Sequence, residues 1–270
     1  MEETILFDFY ISYRRGGLYS PLQKKFCIFK GALRFAFAEP SVNEAVYEGS
    51  ATVEGMEAVL IKDTAEAKKV IDTGKVPLIV DPDGASITAL KPDVVVDAIL
   101  AKKNLGTNRS MAPLTVGLGP GFTAGVDVDI VIETMRGHNL GRIIREGSAI
   151  PNTGIPGNIG GYTAERVIHA GAEGILYNVH KIGDIVEQGE EIAYIAGEKE
   201  NRRYSVTATI PGIIRGLIRD GYPVTKGFKI ADIDPRKSEL SNCFTISDKA
   251  RCIAGSVLEV VCAFGSNILS

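Results

Sequence analysis

The chain has 270 residues, 45% of them hydrophobic and 23% charged, with a formal net charge of −3 and a pI near 5.8. That length accommodates two modest domains with buried cores, and the charge gives no drive toward nucleic acid or anionic lipid. The longest apolar runs, such as residues 257–264, are far too short to span a bilayer.

The first residues, Met1-Glu2-Glu3-Thr4, are acidic where an export signal is basic, so a cytoplasmic protein is expected. Residues 76–80 read as a short buried strand ending in the turn Asp81-Pro82-Asp83-Gly84. Residues 92–103 favour strand in their first half and helix in their second. An apolar strand then leads into Gly117-Leu118-Gly119-Pro120-Gly121-Phe122, and residues 126–134 alternate as another strand. Arg136-Gly137-His138-Asn139 turns into a strand over 142–144, which predicts a hairpin. Alternating strands and helices of this kind indicate an α/β layer.

Two glycine-rich loops are candidates for chemistry. Gly117, Gly119 and Gly121 would let backbone approach a phosphate without side-chain obstruction, or would serve a tight structural turn. Residues 147–161 carry five glycines with Pro151, Pro156, Asn152 and Asn158, ending at Gly160-Gly161 before a predicted helix over 163–170. That order would offer free N–H groups to an anion at a helix N-terminus; an interdomain linker reads equally well. Arg109, Arg136, Arg142 and Arg145, with His138, lie near these loops in sequence. They form either a shared anion site or a solvated basic face. His169 and His180 show no partner in the sequence.

The strongest internal signal is a repeat. A shift of 38 residues places Gly174, Ile175, Gly183, Val186, Gly189, Ile192, Ala193 and Ile195 on identical residues from Gly212 to Ile233. Each copy reads as strand, glycine turn, Val, glycine turn and strand. One copy cannot bury its apolar face alone, so the halves are expected to interdigitate about a pseudo-two-fold axis. The pattern resembles the barrel-sandwich hybrid of biotinyl and lipoyl carriers, with Gly183-Asp184-x-Val186-x-x-Gly189 and Val224-x-x-Gly227 flanking a hairpin at 196–203. Lys199 lies on that hairpin without the surroundings of a modified lysine. A solvated charged turn is expected there, with no covalent biotin or lipoate.

The tail predicts a helix from Ser247 or Asp248 to about Ala263, with Ala250, Ile253, Ala254, Val257, Leu258 and Val261 on one face. Cys27, Cys243, Cys252 and Cys262 form no Cys-x-x-Cys pair, so reduced structural thiols are expected, with no disulfide framework and no metal site.

Several longer strings carry a resemblance. They are Ala45-Val46-Tyr47-Glu48-Gly49, Thr107-Asn108-Arg109-Ser110-Met111-Ala112-Pro113, the Gly117–Phe122 string, and Arg136-Gly137-His138-x-Leu140-Gly141-Arg142. Further along come Asn152-Thr153-Gly154-x-Pro156-Gly157-x-Ile159-Gly160-Gly161, Lys229-Ile230-x-Asp232-Ile233-Asp234-Pro235-Arg236 and Ser247-Asp248-Lys249-Ala250-Arg251. Together they resemble the YqeB-like accessory proteins of selenium-dependent molybdenum hydroxylases, from about residue 44 onward. The resemblance implies a Rossmann-type N-terminal region, a biotinyl-like module and a role in cofactor maturation or insertion. The N-terminus departs from that family: Arg15-Gly16-Gly17 is followed by Leu18-Tyr19-Ser20-Pro21, so residues 18–38 are divergent or out of frame.

The expected fold is α/β, a Rossmann-like N-terminal layer plus an all-β barrel-sandwich-hybrid module and a C-terminal helix. Its parts are residues 1–146 (α/β), 147–170 (loop and helix), 171–236 (duplicated module) and 237–270 (helix packing back on the α/β region). The expected ligand is a nucleotide or a molybdopterin-type compound. It would sit near Asn108, Arg109, Gly117, Gly119, Gly121, Arg136, His138, Arg142, Asn152, Gly157, Gly160 and Gly161. The expected partner is a molybdenum hydroxylase or its maturation machinery, with no nucleic acid and no membrane. The alternative is a non-catalytic scaffold whose module docks partners.

Overall fold

The computed structural model describes residues 6–10, 25–30, 41–81, 83–154, 157–197 and 202–265, with side chains from residue 45 onward. It is a mixed α/β structure ending in a long helix. It divides into two compact units. The first takes the described residues up to Thr153 and those from Phe244; the second is Gly154–Cys243.

In the first unit the strands are β1 (Leu6–Tyr10), β2 (Lys25–Lys30), β3 (Ser50–Val53), β4 (Met56–Ile61), β5 (Val76–Val80), β6 (Val94–Asp97), β7 (Leu114–Leu118), β8 (Thr123–Ala124), β9 (Ile130–Ile132), β10 (Ile143–Ile144) and β11 (Gly147–Ser148). The helices are α1 (Ser41–Glu48), α2 (Ala67–Asp72), α3 (Ala85–Leu90) and α4 (Asp248–Gly265). Among the described residues nine strands form one sheet in the order β10-β9-β7-β6-β1-β2-β5-β4-β3, and β8 pairs with β11 separately. Parallel pairing joins β1, β6, β7 and β9, and also β4 with β5. Because β2 is antiparallel to both β1 and β5, six strands share one direction. The atypical segment 18–38 thus supplies β2, a strand inside the sheet.

Strand periodicity explains the layers. Val94 and Val96 face a core shared with Leu114, Val116, Ile130 and Ile132, and with Ile253, Val257, Val260 and Val261 of α4. Val95, between them, faces the opposite core with Ile61, Ile79, Ile87 and Ile99. Ser247 Oγ accepts from the Ala250 N–H at 3.2 Å, which caps the start of α4.

Three predicted elements differ. No helix follows β6, because the Asp97 carboxylate captures the Ile99 N–H at 3.0 Å and Leu100 and Lys102 then adopt positive φ, 54° and 64°. The strand expected over 126–134 shrinks to Ile130–Ile132, since Asp127 accepts from the Thr123 N–H and holds the chain in a turn. The helix expected over 163–170 is only a 3-10 turn at Ala164–Arg166, followed by a strand, β12 (Val167–His169). Burial there alternates, Ile168 inward and His169 outward, as a strand's period of two requires.

The second unit continues with β13 (Gly174–Asn178), β14 (Ile185–Val186), β15 (Glu191–Ala196), β16 (Arg203–Thr207), β17 (Gly212–Leu217), β18 (Tyr222–Val224) and β19 (Lys229–Asp234). Two sheets form among the described residues, β12-β19-β17-β14 and β16-β15-β13-β18, and no barrel closes. The repeat shift maps β13, β14 and β15 onto β17, β18 and β19. Each copy lends its short middle strand to the other, β14 pairing with β17 and β18 with β13. Leu176, Ile192, Ile195, Ile214, Ile230 and Ile233 fill the shared core. Lys199 lies outside the described residues.

Candidate functional site

The six co-directional strands bring several loops to their carboxyl edge, where open α/β sheets bind ligands. The acids ending these strands are taken up by local backbone. Asp81 accepts from Ala85 and Ser86 N–H at 3.1 and 2.6 Å, holding the start of α3. Asp97, buried at the end of β6, accepts from Thr107 Oγ1 at 2.5 Å besides the Ile99 N–H. Glu133, buried just past β9, accepts from the Met135 N–H at 2.7 Å and the Ile150 N–H at 2.8 Å. Burial alone would raise the Asp81 carboxyl. The Ser86, Ala85 and Gly84 hydrogen bonds outweigh it and leave it below the usual carboxylate value.

The loop glycines interlock at this edge. A Cβ on Gly117 would meet the Phe122 ring at 2.6 Å, one on Gly119 would meet Thr134 Oγ1, and one on Gly121 would meet Lys103 backbone at 2.5 Å. Gly119 and Gly121 also hold positive φ, 82° and 112°. The loops after β6, β7 and β9 are therefore packed on one another with no room for side chains at these glycines.

Arg136, His138 and Arg142 lie on the β9–β10 hairpin and are exposed. Arg136 grips Asp248 of α4 through two bonds of 2.7 and 2.9 Å. Gly141 fits against Cys252 and Ser256, whose Oγ donates to the Gly141 carbonyl at 2.6 Å. Arg142 and Arg145 stand on the surface with no ion pair among the described residues.

Other expected site residues lie elsewhere. Asn108 caps a 3-10 turn by accepting from the Ser110 N–H at 3.0 Å. Arg109 binds Asp129 at 2.7 Å and the Gly125 carbonyl at 3.1 Å. Asp129 also accepts from the N–H and Oγ1 of Thr115, so this guanidinium is held at the amino ends of β7 and β9. Burial would raise the Asp129 carboxyl, but the Thr115 and Arg109 bonds and the Arg109 charge bring it below its usual value. Arg109 and the Gly119–Gly121 turn thus sit at opposite ends of β7. An open cleft of about 790 Å³ lies at the amino end of β6 and β7, lined in part by Ile87, Lys91, Asp93, Ser110, Met111 and Pro113.

Asn152, exposed, belongs to the first unit, whereas Gly157, Gly160 and Gly161 belong to the second. The helix N-terminus expected to offer N–H groups after Gly161 is absent. The Gly161 N–H donates to Asn158 Oδ1 at 3.1 Å and the Tyr162 N–H to the Ile159 carbonyl at 3.1 Å. Gly160 abuts the Pro235 ring. His180, without a visible partner in sequence, has Asp184 on Nδ1 and Glu190 on Nε2, both at 3.2 Å.

Asp97, Thr107, Glu133 and Thr134 were not singled out from sequence. An acid closing a fully apolar run, as in Val94-Val95-Val96-Asp97, was the available signal.

No family model matches the chain. Over 218 residues it is 52% identical to the uncharacterized protein YqeB of Escherichia coli (strain K12), a stretch covering 81% of this chain and 39% of that protein. Over that stretch the chain is similar to YqeB. It spans about two-fifths of YqeB, so the activity and partners of the whole protein are proposals. Solved structures give only slight likenesses to this chain. An aspartoacylase family protein from Mesorhizobium loti is 12% identical with a TM-score of 0.28, over 63% of this chain and 78% of that one. The product-bound ectoine utilization protein EutE (DoeB) of Ruegeria pomeroyi is 10% identical with a TM-score of 0.27, over 84% and 56%. Likenesses this low carry no argument about fold or function.

Proposed function

We propose that the chain is an accessory protein in the maturation of, or cofactor insertion into, a selenium-dependent molybdenum hydroxylase in the cytoplasm. In this reading it binds a phosphate-bearing nucleotide or pterin at the carboxyl edge of the parallel strands. One observation carries the reading: the resembling string 117–122 packs there against the segments just before the 136–142 string and after β6, Gly119 abutting Thr134 and Gly121 abutting Lys103. The run of co-directional strands supports a Rossmann-like first unit. The exchange of short strands supports a barrel-sandwich hybrid for the second.

The test has two arms. Pull-down from the native cell should recover a molybdenum hydroxylase. A nucleotide or pterin monophosphate should raise the melting temperature, and Arg142→Ala should abolish that rise while leaving the unliganded protein unchanged. A flat response to every such probe, with no hydroxylase recovered, would end the proposal. A scaffold is the second reading, favoured by the tight filling around Gly117, Gly119 and Gly121, which accounts for those glycines without any ligand.

A further inference from the structure

The outer face of the second unit's β16-β15-β13-β18 sheet carries a stack with one open end. Tyr177 and Tyr194, cross-strand partners, stack with ring centroids 5.3 Å apart and planes 23° from parallel. The Arg203 guanidinium lies 4.1 Å from the Tyr194 ring centroid and is held by Glu191 at 2.7 Å. Arg203 comes from β16 and Tyr177 from β13, on either side of β15, so Tyr194 is covered on both faces. Tyr177 is covered on one. Continuing the register from Leu176 and Tyr222, the residue beyond it on β18 is Gly221, where an added Cβ would meet nothing within 4 Å. Tyr177 remains 37% exposed.

Duplication supplies an internal control. The repeat shift places Tyr177 on Arg215 and Tyr194 on Asp232. In the sister sheet Arg215 pairs with Asp234 and Asp232 with Arg166. The second copy therefore does without aromatic rings at these positions, filling them with ion pairs instead. Asp220, the chain neighbour of Gly221, brings a carboxylate to this end of the sheet: its Oδ1 accepts from the N–H of Asn178, next to Tyr177, at 2.6 Å, and its second oxygen has no donor among the described residues.

We infer that this face is a stacking site for a planar heterocycle with an N–H donor edge of the guanine type. The ring continues the Arg203–Tyr194–Tyr177 stack above Gly221, and its N–H edge meets Asp220. Stacking tolerates many rings, whereas the acceptor-only carboxylate selects those with donors. The site lies on a different unit from the phosphate site proposed above and does not depend on it.

Guanosine, which carries no phosphate, separates the two sites. Ligand-observed NMR and equilibrium dialysis with the full chain should show guanosine binding more tightly than adenosine. Tyr177→Leu, which keeps apolar bulk but removes the flat face, should weaken guanosine at least about tenfold, the loss of one stacking contact. Gly221→Asn, which tolerates positive φ while filling the slot, should do the same. Asp220→Asn should erase the preference over adenosine, and Arg142→Ala, which removes the proposed phosphate contact on the other unit, should leave the guanosine affinity as it is. Unchanged melting temperatures would show that these variants fold. Absence of guanosine binding at millimolar concentration, or binding indifferent to Tyr177→Leu and Gly221→Asn, would overturn the inference. So would self-association of the chain that Tyr177→Leu abolishes, since the face would then be a contact between copies.

Discussion

Gly119 and Gly121 serve the fold through the side chain they lack. Each combines a positive φ with a neighbour where a Cβ would stand, Thr134 for one and Lys103 backbone for the other. Gly119→Ala and Gly121→Ala should each destabilise the first unit by about 2–4 kcal/mol in urea unfolding, with Gly121 the worse because backbone yields less than a side chain. The glycine run was visible in sequence; that its members are pressed by residues 15 to 18 positions away was not. Among the described acids of the second unit, Asp234 is buried, at 1% exposure. Burial would raise its carboxyl, yet hydrogen bonds from Arg236, and the charges of Arg236 and Arg215, outweigh that and hold it below its usual value. A depressed folded value contributes stability that is present above the unfolded value of about 3.9 and lost as pH falls through the folded one. Acid unfolding below about pH 4 should therefore be shallower in Asp234→Asn than in the parent, read by circular dichroism across pH 2–5. Cys243 presents the reverse case: burial pushes its thiol up. Iodoacetamide labelling resolved by mass spectrometry should find Cys243 slower than the exposed Cys252 and Cys262.

At the scale of elements, α4 shows how far periodicity reaches. Ile253, Val257, Val260 and Val261 are buried against the sheet, three of them on the face read from sequence. Val257→Ala, at a position with 0% exposure, should cost about 2 kcal/mol of stability in the same urea experiment, while substitution of exposed Glu259 should cost almost nothing. Residues 163–170 mark the limit of such reading. Val167 and Ile168 are β-branched, and the edge of β19 offers a ladder that an eight-residue isolated helix cannot match. The anion site imagined at that helix loses its basis with the helix. Asp97 limits it similarly: its side chain takes the Ile99 N–H, and the helix suggested after β6 never starts.

For the molecule as a whole, the exchange of β14 and β18 makes the second unit's two copies interdependent. Gly174 and Gly212, related by the 38-residue shift, press against the Ala196 and Asp234 carbonyls in the same way. Gly174→Ala and Gly212→Ala should therefore lower the unit's melting temperature to a similar extent and unfold both copies together, monitored by hydrogen exchange of β14 and β18. Unequal losses confined to one copy would contradict the exchange. The sequence by itself determined the duplication, the C-terminal helix and the α/β character, because each is a periodic or repeated pattern that local chemistry enforces. Tertiary structure alone decided that β2 enters the sheet, that Arg109 and the Gly119–Gly121 turn stand at opposite ends of β7, and that Tyr177 stacks on Tyr194 with Gly221 adjoining the neighbouring strand. Those outcomes depend on which strands become neighbours, and neighbours across a sheet are chosen by burial of the whole surface rather than by the residues beside them in the chain.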